Sequence, residues 1–151
     1  MGTINIVGAE NVEGRIDVAR AVGSTETAMY VYDLEPGSGL CPYHYEYVEE
    51  WLLVVAGELT VREPAGERTL ATGDLVHWPA GPDGAHKAVN RGDAPARVLV
   101  WSSARVPAVS VYPDSNKIGV FPTADGEADG FFPLDTAVEW AHGEEGWNRA
   151  D

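Results

Sequence analysis

Four side chains have the types and the spacing of a metal site: His44, Glu46, Glu50 and His86. The first three are separated by even numbers of residues, so on an extended chain they point to the same face. His86 follows one more strand pattern and one turn, which would place it on a neighbouring strand. Two imidazoles and two carboxylates offer nitrogen and oxygen ligands without thiolates. That set suits one divalent transition metal, Mn, Fe, Ni, Co or Zn, better than a structural zinc site.

The same residues also have a simpler interpretation, in which no metal is bound. A His-x-Glu pair on a strand more often lies on a solvated face, and a single histidine in a β-rich chain is usually a hydrogen-bonded polar residue. The carboxylates would then be hydrogen-bonded inside a polar pocket. Residue types and spacing alone leave both alternatives open.

The elements that must position these side chains are a succession of short strands. From residue 27 to residue 102, β-branched and aromatic stretches alternate with turns that contain Gly or Pro. This pattern, without a competing helical period, predicts an all-β antiparallel barrel or sandwich. Residues 1–26 add two predicted N-terminal strands, Thr3–Val7 and Arg15–Val22. The sequence therefore predicts three parts: N-terminal strands over 1–26, a barrel over 27–121, and a C-terminal extension over 122–151.

Two longer motifs frame the four candidate ligands. The motifs read Gly39-x4-His44-x-Glu46-x3-Glu50-x6-Gly57 and Gly73-x5-Pro79-x-Gly81-x4-His86-x3-Asn90. They resemble the two motifs of the cupin superfamily, Gly-x5-His-x-His-x3,4-Glu-x6-Gly and Gly-x5-Pro-x-Gly-x2-His-x3-Asn. The resemblance covers about residues 30–104. The differences in spacing fall in loops, where length changes cost little free energy.

The resemblance implies a double-stranded β-helix, or jelly-roll barrel, that is usually dimeric and holds a metal inside. His44, Glu50 and His86 stand at three of the family's ligand positions. Glu46 stands where the family has a second histidine. A glutamate keeps a ligand of similar reach but adds a negative charge, which favours a harder ion and raises the cost of binding an anionic substrate nearby.

Aromatic and apolar residues on the predicted strands indicate the binding pocket and an interface. Trp78, directly before Pro79, and Tyr32 are the candidate substrate-binding residues. On the strand that begins at Glu50, parity predicts that Leu52, Val54 and Ala56 face inward and that Trp51, Leu53 and Val55 face outward. Apolar side chains on both faces predict that the outer face is also covered, which favours a homodimer.

The composition and net charge limit which kinds of binding partner are expected. The chain has 151 residues and a formal net charge of −14. Such a negative surface repels nucleic acid and anionic lipid, so neither is an expected partner, and a small-molecule ligand is expected instead. No apolar segment is long enough for a membrane helix, and no signal peptide is recognisable. The single cysteine, Cys41, is interpreted as a plain thiol. A cytoplasmic location is the expectation.

The segment after the barrel motifs has two parts. The block Tyr-Pro-Asp-Ser-Asn-Lys-Ile-Gly at 112–119 resembles a subgroup of small single-domain cupins, which implies that residues 109–121 belong to the fold as a hairpin. From Ala124 the chain carries eight acidic residues against one basic residue. Such a tail is either solvated or docked through its large apolar side chains. These side chains are Phe131, Phe132, Trp140 and Trp147, and one short helix is predicted over Asp135–His142.

Two functions of different classes fit these observations. The first is a divalent-metal-dependent enzyme, an oxygenase, decarboxylase or isomerase, that acts on a small organic molecule such as an organic acid, a sugar derivative or a phenolic. The second is a binding module whose metal is structural or absent. A general acid or base beyond the metal ligands would discriminate them, and the sequence nominates none.

Overall fold

The computed structural model describes residues 1–11 and 14–146. Twelve strands, one short α-helix and three single-turn 3₁₀ helices form the described part of the chain. The α-helix, α1, spans Val18–Val22. The strands are β1 (Arg15–Asp17), β2 (Thr27–Leu34), β3 (Tyr45–Glu46), β4 (Glu50–Ala56), β5 (Glu58–Glu63), β6 (Gly66–Ala71), β7 (Leu75–Trp78), β8 (Lys87–Val89), β9 (Ala96–Ser103), β10 (Ala108–Tyr112), β11 (Lys117–Phe121) and β12 (Gly130–Pro133).

The strands form three antiparallel sheets that enclose one interior. The largest sheet has the order β1-β2-β9-β4-β7, and the other two have the orders β12-β11-β10-β3 and β6-β5-β8. Five of the nine neighbouring pairs, β2-β9, β9-β4, β4-β7, β10-β3 and β5-β8, join strands that are not consecutive in sequence, as in a jelly roll. The all-β barrel predicted from the strand spacing is confirmed. No helix of the described residues is long and apolar enough to cross a membrane.

The alternation along β4 separates two apolar clusters. Leu52 and Val54 are fully buried in the barrel interior. Leu53 and Val55 point to the other side of the sheet and pack in a second cluster. The prediction that Ala56 faces inward is wrong, because the register shifts between Val54 and Ala56 and leaves Ala56 exposed. A bulge of this kind ends the alternation of side chains along a strand.

The N-terminal segment differs from the two strands that the sequence predicts. Only Arg15–Asp17 is a strand, and the chain then turns into α1. Asp17 caps α1, because its Oδ1 accepts a hydrogen bond from the Arg20 backbone N–H at 2.9 Å. Thr3–Val7 contains no strand, but its two isoleucines pack against the second apolar cluster. The chain thus covers part of its own outer face, and the homodimer stays a prediction.

The start of the C-terminal extension docks on the barrel. Strand β12 pairs with β11, and β11 pairs with β10 in the predicted hairpin. Phe131 contacts the rings of Tyr112 and Phe121. The predicted helix over Asp135–His142 is wrong, since only Leu134–Thr136 makes a single 3₁₀ turn there. Phe132 and Trp140 are exposed, and Trp147 lies outside the described residues.

Asn90, the last residue of the second motif, supports a stability prediction. Its buried amide donates to the carbonyls of Leu34 and Ala94 at 2.7 and 2.8 Å and accepts from the Gly92 N–H at 2.9 Å. We expect Asn90→Ala to lower the free energy of unfolding by about 1–3 kcal/mol, because buried backbone groups lose their partners. Urea unfolding measures the change. Asp93→Ala, in the same exposed turn, is the control, and equal effects of the two variants would contradict the prediction.

Candidate metal centre

The two sequence motifs meet at a backbone bridge. His44 and His86 are paired antiparallel, and each backbone N–H donates to the other residue's carbonyl, at 3.0 and 2.8 Å. This pairing sets the two imidazoles side by side, with ring centroids 4.8 Å apart. Both histidines are buried. The fold therefore brings the two histidines together from different parts of the chain, as the motif spacing predicts.

Glu50 completes a group of three. Its Oε2 lies 3.7 Å from His44 Nε2 and 3.6 Å from His86 Nε2. Both distances exceed those of direct hydrogen bonds. Two ligand atoms that are each about 2.0–2.2 Å from one ion can lie up to about 4.4 Å apart, so each of these two separations suits an ion that bridges Glu50 and the histidine concerned.

The tautomers of both histidines favour a cation at this point. His44 Nδ1 lies 3.0 Å from the Pro42 carbonyl oxygen, and His86 Nδ1 lies 2.9 Å from the Gly84 carbonyl oxygen. A carbonyl can only accept, so in each neutral ring the proton sits on Nδ1. Both Nε2 lone pairs then face the Glu50 carboxylate. A ligating histidine typically donates its other N–H in this way, so these residues fit a bound divalent ion.

The pKa shifts of the buried residues also favour a bound cation. Burial raises the pKa of Glu50 to about 8, and the nearby Glu46 carboxylate adds to the rise. Burial also lowers the pKa of His86 to about 4. A buried carboxylate beside a second one is costly unless a positive charge compensates them. A divalent cation supplies that charge without protonating the ligands.

Glu46, on β3, stands at the side of this group. Its carboxylate lies within 4.8 Å of the ligand atoms of His44 and Glu50. Across the strand pair, Ser110 Oγ donates to Glu46 Oε1 at 2.8 Å. Two residues further along β10, the Tyr112 ring stacks on His44 with centroids 5.8 Å apart.

Sequence reasoning missed Ser110 and Tyr112. Both lie on β10, inside the 109–121 hairpin that the sequence assigned to the fold, and their numbers have the same parity. That parity was the available signal, because residues two apart on a strand share a face. Nothing in the sequence pairs that strand with the one that carries Glu46.

Trp78 packs against one face of the His86 ring. The two rings are nearly parallel, with centroids 3.6 Å apart, and Trp78 is only 3% exposed. Its Nε1 donates to Glu63 at 2.8 Å, and Arg68 binds the same carboxylate with two hydrogen bonds of 2.9 and 3.1 Å. This chain of contacts fixes the imidazole orientation. Contact of Trp78 with a substrate stays a prediction.

Cys41 is a further neighbour of the histidines. Its thiol sulfur lies within 4.8 Å of ligand nitrogens of His44 and His86. Burial raises the pKa of this thiol to about 12, and the charge of Glu50 adds to the rise. A metal ion would oppose this rise because it favours the thiolate, so Cys41 is also among the groups that could hold an ion, and its interpretation as a plain thiol stays a prediction.

A cavity of about 490 Å³ opens onto the two carboxylates. Tyr32, the second candidate substrate-binding residue, lines it together with Tyr30, Glu46 and Glu50. Burial raises the pKa of Tyr32, although the adjacent Arg15 opposes this rise. The size is within the usual range for small-molecule sites.

Comparisons with known proteins agree with the barrel and its site. The cupin domain model matches residues 30–102 of the chain. A sugar phosphate isomerase of the cupin superfamily from Silicibacter pomeroyi DSS-3 superposes with a TM-score of 0.74 and 29% sequence identity, over 83% of this chain and 80% of that one. No curated protein matches the chain.

Two further structures share the fold. A protein from Acidithiobacillus ferrooxidans has a TM-score of 0.73 at 24% identity, over 83% of this chain and 78% of its own. A polyketide cyclase from Streptomyces resistomycificus has a TM-score of 0.55 at 19% identity, over 72% and 83%. The barrel and its interior site define a jelly-roll protein with a possible metal centre. Residues 30–102 match the cupin domain, and the barrel that contains them has the cupin fold.

The raised pKa of Glu50 predicts how stability depends on pH once metal is removed by a chelator. A carboxyl with a folded-state pKa of about 8 stabilises the fold while it is protonated, so stability falls as the pH rises toward 8. The lowered pKa of His86 makes stability rise with pH, but only below about pH 6.5, the pKa of this histidine in the unfolded state. Between about pH 6.5 and 8 we therefore expect a net loss of about 1–2 kcal/mol.

Urea unfolding of chelator-treated protein at several pH values measures this loss. Glu50→Gln, which cannot ionise, should show a flat profile over the same range. A flat profile for the unsubstituted protein would contradict the prediction.

Proposed function

We propose that the protein is a divalent-metal-dependent isomerase of a small sugar derivative. The observation that carries the proposal is that Glu50 Oε2 lies 3.7 and 3.6 Å from the Nε2 atoms of His44 and His86, while a second carboxylate, Glu46, lines the same cavity as Glu50. The structural similarity to a sugar phosphate isomerase at 29% identity supports isomerisation among the reactions that cupins host.

In this proposal His44, Glu50 and His86 hold the ion. Nitrogen and carboxylate ligands suit Mn, Fe, Co, Ni or Zn. When bound, the ion would supply Lewis-acid polarisation of the carbonyl and hydroxyl oxygens of the substrate. The backbone carbonyls of Pro42 and Gly84 hold the two imidazoles in the required tautomer.

Glu46 is the proton-transfer group in the proposal. The hydrogen bond from Ser110 holds one carboxylate oxygen, and the side chain lines the cavity beside the three ligands. An aldose and a ketose interconvert when a proton leaves the carbon next to the carbonyl and returns to the neighbouring carbon, while a hydroxyl proton moves between the two oxygens. The Glu46 carboxylate takes the carbon-bound proton and then returns it, so no external oxidant or reductant is needed.

Metal content tests the ligand set. We expect His44→Ala to lose most of the divalent metal that the unsubstituted protein holds, because one of three ligands is missing. Plasma mass spectrometry on tag-free protein, purified without chelator, measures the metal per chain. The matched control is His77→Ala, because His77 lies on the neighbouring strand β7 but outside the site. Equal metal in both variants would refute the site.

Glu46→Gln separates a proton-transfer role from metal binding. We expect this variant to keep its metal and to lose activity by about 10²–10⁴-fold, since the amide can accept the Ser110 hydrogen bond but cannot carry the proton. NMR in D₂O, which detects deuterium at the carbon next to the carbonyl, measures the transfer across a panel of aldoses, ketoses and their phosphates.

The outcomes discriminate the functions. Loss of metal in Glu46→Gln would make this residue the fourth ligand that the sequence predicted. No exchange with any substrate in the unsubstituted, metal-loaded protein would reject the isomerase and favour the binding module.

A further inference from the structure

The cavity above the metal centre holds two arginines without carboxylate partners. Among the arginines that the structure describes, Arg62, Arg68, Arg91 and Arg97 form ion pairs with acidic side chains. Arg15, Arg20 and Arg105 form none within the described residues, and two of these three, Arg15 and Arg105, line the cavity with Glu46 and Glu50. Two positive side chains on the wall of one cavity supply the charge that an anionic ligand requires.

The fold sets Arg15 at the far side of the cavity from Glu50. Arg15 is paired with Tyr32 across β1 and β2, so the two side chains share a face of the sheet. Its guanidinium lies over the Tyr30 ring, 4.8 Å from the centroid. That contact holds the charged group over the cavity while its N–H donors stay available for an anion.

Arg105 reaches the cavity from the end of β9. Its backbone N–H donates to Ser103 Oγ at 3.2 Å, which ties the loop to the strand that precedes it. Ser102 and Ser103 line the cavity beside it and offer hydroxyl donors, whereas the Thr123 hydroxyl, also in the lining, donates to Asp125 Oδ1 at 2.6 Å. Two guanidinium groups with neighbouring hydroxyls make up the donor set that an oxyanion requires.

The spacing across the sheet suits a ligand with two different ends. The strand order from Arg15 to Glu50 is β1-β2-β9-β4, which is three strand steps. At about 4.8 Å per step this is about 14 Å across the sheet, and because Arg15 lies in register with Val54, four residues along β4 from Glu50, the two backbones are about 20 Å apart. The long Arg15 side chain shortens this distance, since its guanidinium reaches the Tyr30 ring, two residues nearer to the register of Glu50. One end of the ligand can therefore lie at the carboxylates and the other at the arginines.

We propose that Arg15 and Arg105 bind the phosphate of a sugar phosphate whose carbonyl end lies at the metal centre. This inference rests on the proposed function and names its substrate class. A phosphate monoester carries close to two negative charges near neutral pH, which matches two guanidinium groups better than the single charge of a carboxylate does. The two arginines also offset part of the repulsion that Glu46, Glu50 and Asp129, which all line the cavity, exert on an anion.

Binding of a ligand that cannot react tests the proposal. Sorbitol 6-phosphate has no carbonyl group, so it cannot be isomerised. We expect it to bind about 10–100-fold more tightly than sorbitol, as measured by isothermal titration calorimetry on protein supplemented with Mn²⁺ and on chelator-treated protein. Arg15→Gln and Arg105→Gln should each reduce this preference, and the double variant should abolish it. Arg20→Gln, an exposed and unpaired arginine on α1, is the matched control.

Three results would overturn the proposal: no binding of sorbitol 6-phosphate, equal affinity for sorbitol and its phosphate, or an unchanged preference in the double variant. Gluconate, which carries a carboxylate, distinguishes the two kinds of oxyanion. Tighter binding of gluconate than of sorbitol 6-phosphate would also reject phosphate as the group recognised.

The failure of this proposal and the failure of the isomerase are distinguishable. An arginine-dependent preference for the phosphate without any exchange in D₂O would reject the isomerase alone. Exchange on free sugars without a preference for the phosphate would reject the role of the arginines alone.

Discussion

The backbone bridge between His44 and His86 is the interaction on which the site depends. Two reciprocal hydrogen bonds join the first and second motifs, which are far apart along the chain, and set the imidazoles next to each other. The ring nitrogens that do not face the cavity are engaged by backbone carbonyls. The main chain therefore decides both where the two side chains lie and which nitrogen of each is available. Glu50 meets them because β4 begins at that point of the sheet.

The groups around this bridge reduce the freedom of the ligands. Trp78 covers one face of the His86 ring and is itself held by Glu63, whose pKa is lowered chiefly by Arg68. Ser110 holds Glu46 from the adjoining sheet. Ligands and proton-transfer groups that are held in advance lose little entropy when an ion or a substrate binds. The rigid side of the cavity is the carboxylate and histidine side, and the long arginine side chains lie on the opposite side.

The fold was largely predictable, and the deviations have local physical causes. Strand formers separated by Gly and Pro predict the barrel because the spacing of turns is encoded locally. The helix Val18–Val22 was mistaken for a strand, since five residues rich in valine are too short to show a helical period. Its local signals were the cap at Asp17 and Gly23, which ends the helix in the left-handed conformation. Thr3–Val7 has the composition of a strand, but its isoleucines pack on the outer face without pairing.

The sequence by itself determined the barrel and the convergence of His44, Glu46, Glu50 and His86, because motif spacing and strand parity are local properties of the chain. Only the tertiary structure decided the hydrogen bond between Ser110 and Glu46 and the position of Arg15 and Arg105 in the cavity that the two carboxylates line. These residues lie on elements that are distant in sequence, and no local pattern encodes which strands become neighbours. The candidate metal ligands are thus evident in the sequence, whereas the groups that would recognise the rest of the substrate are evident only in the fold.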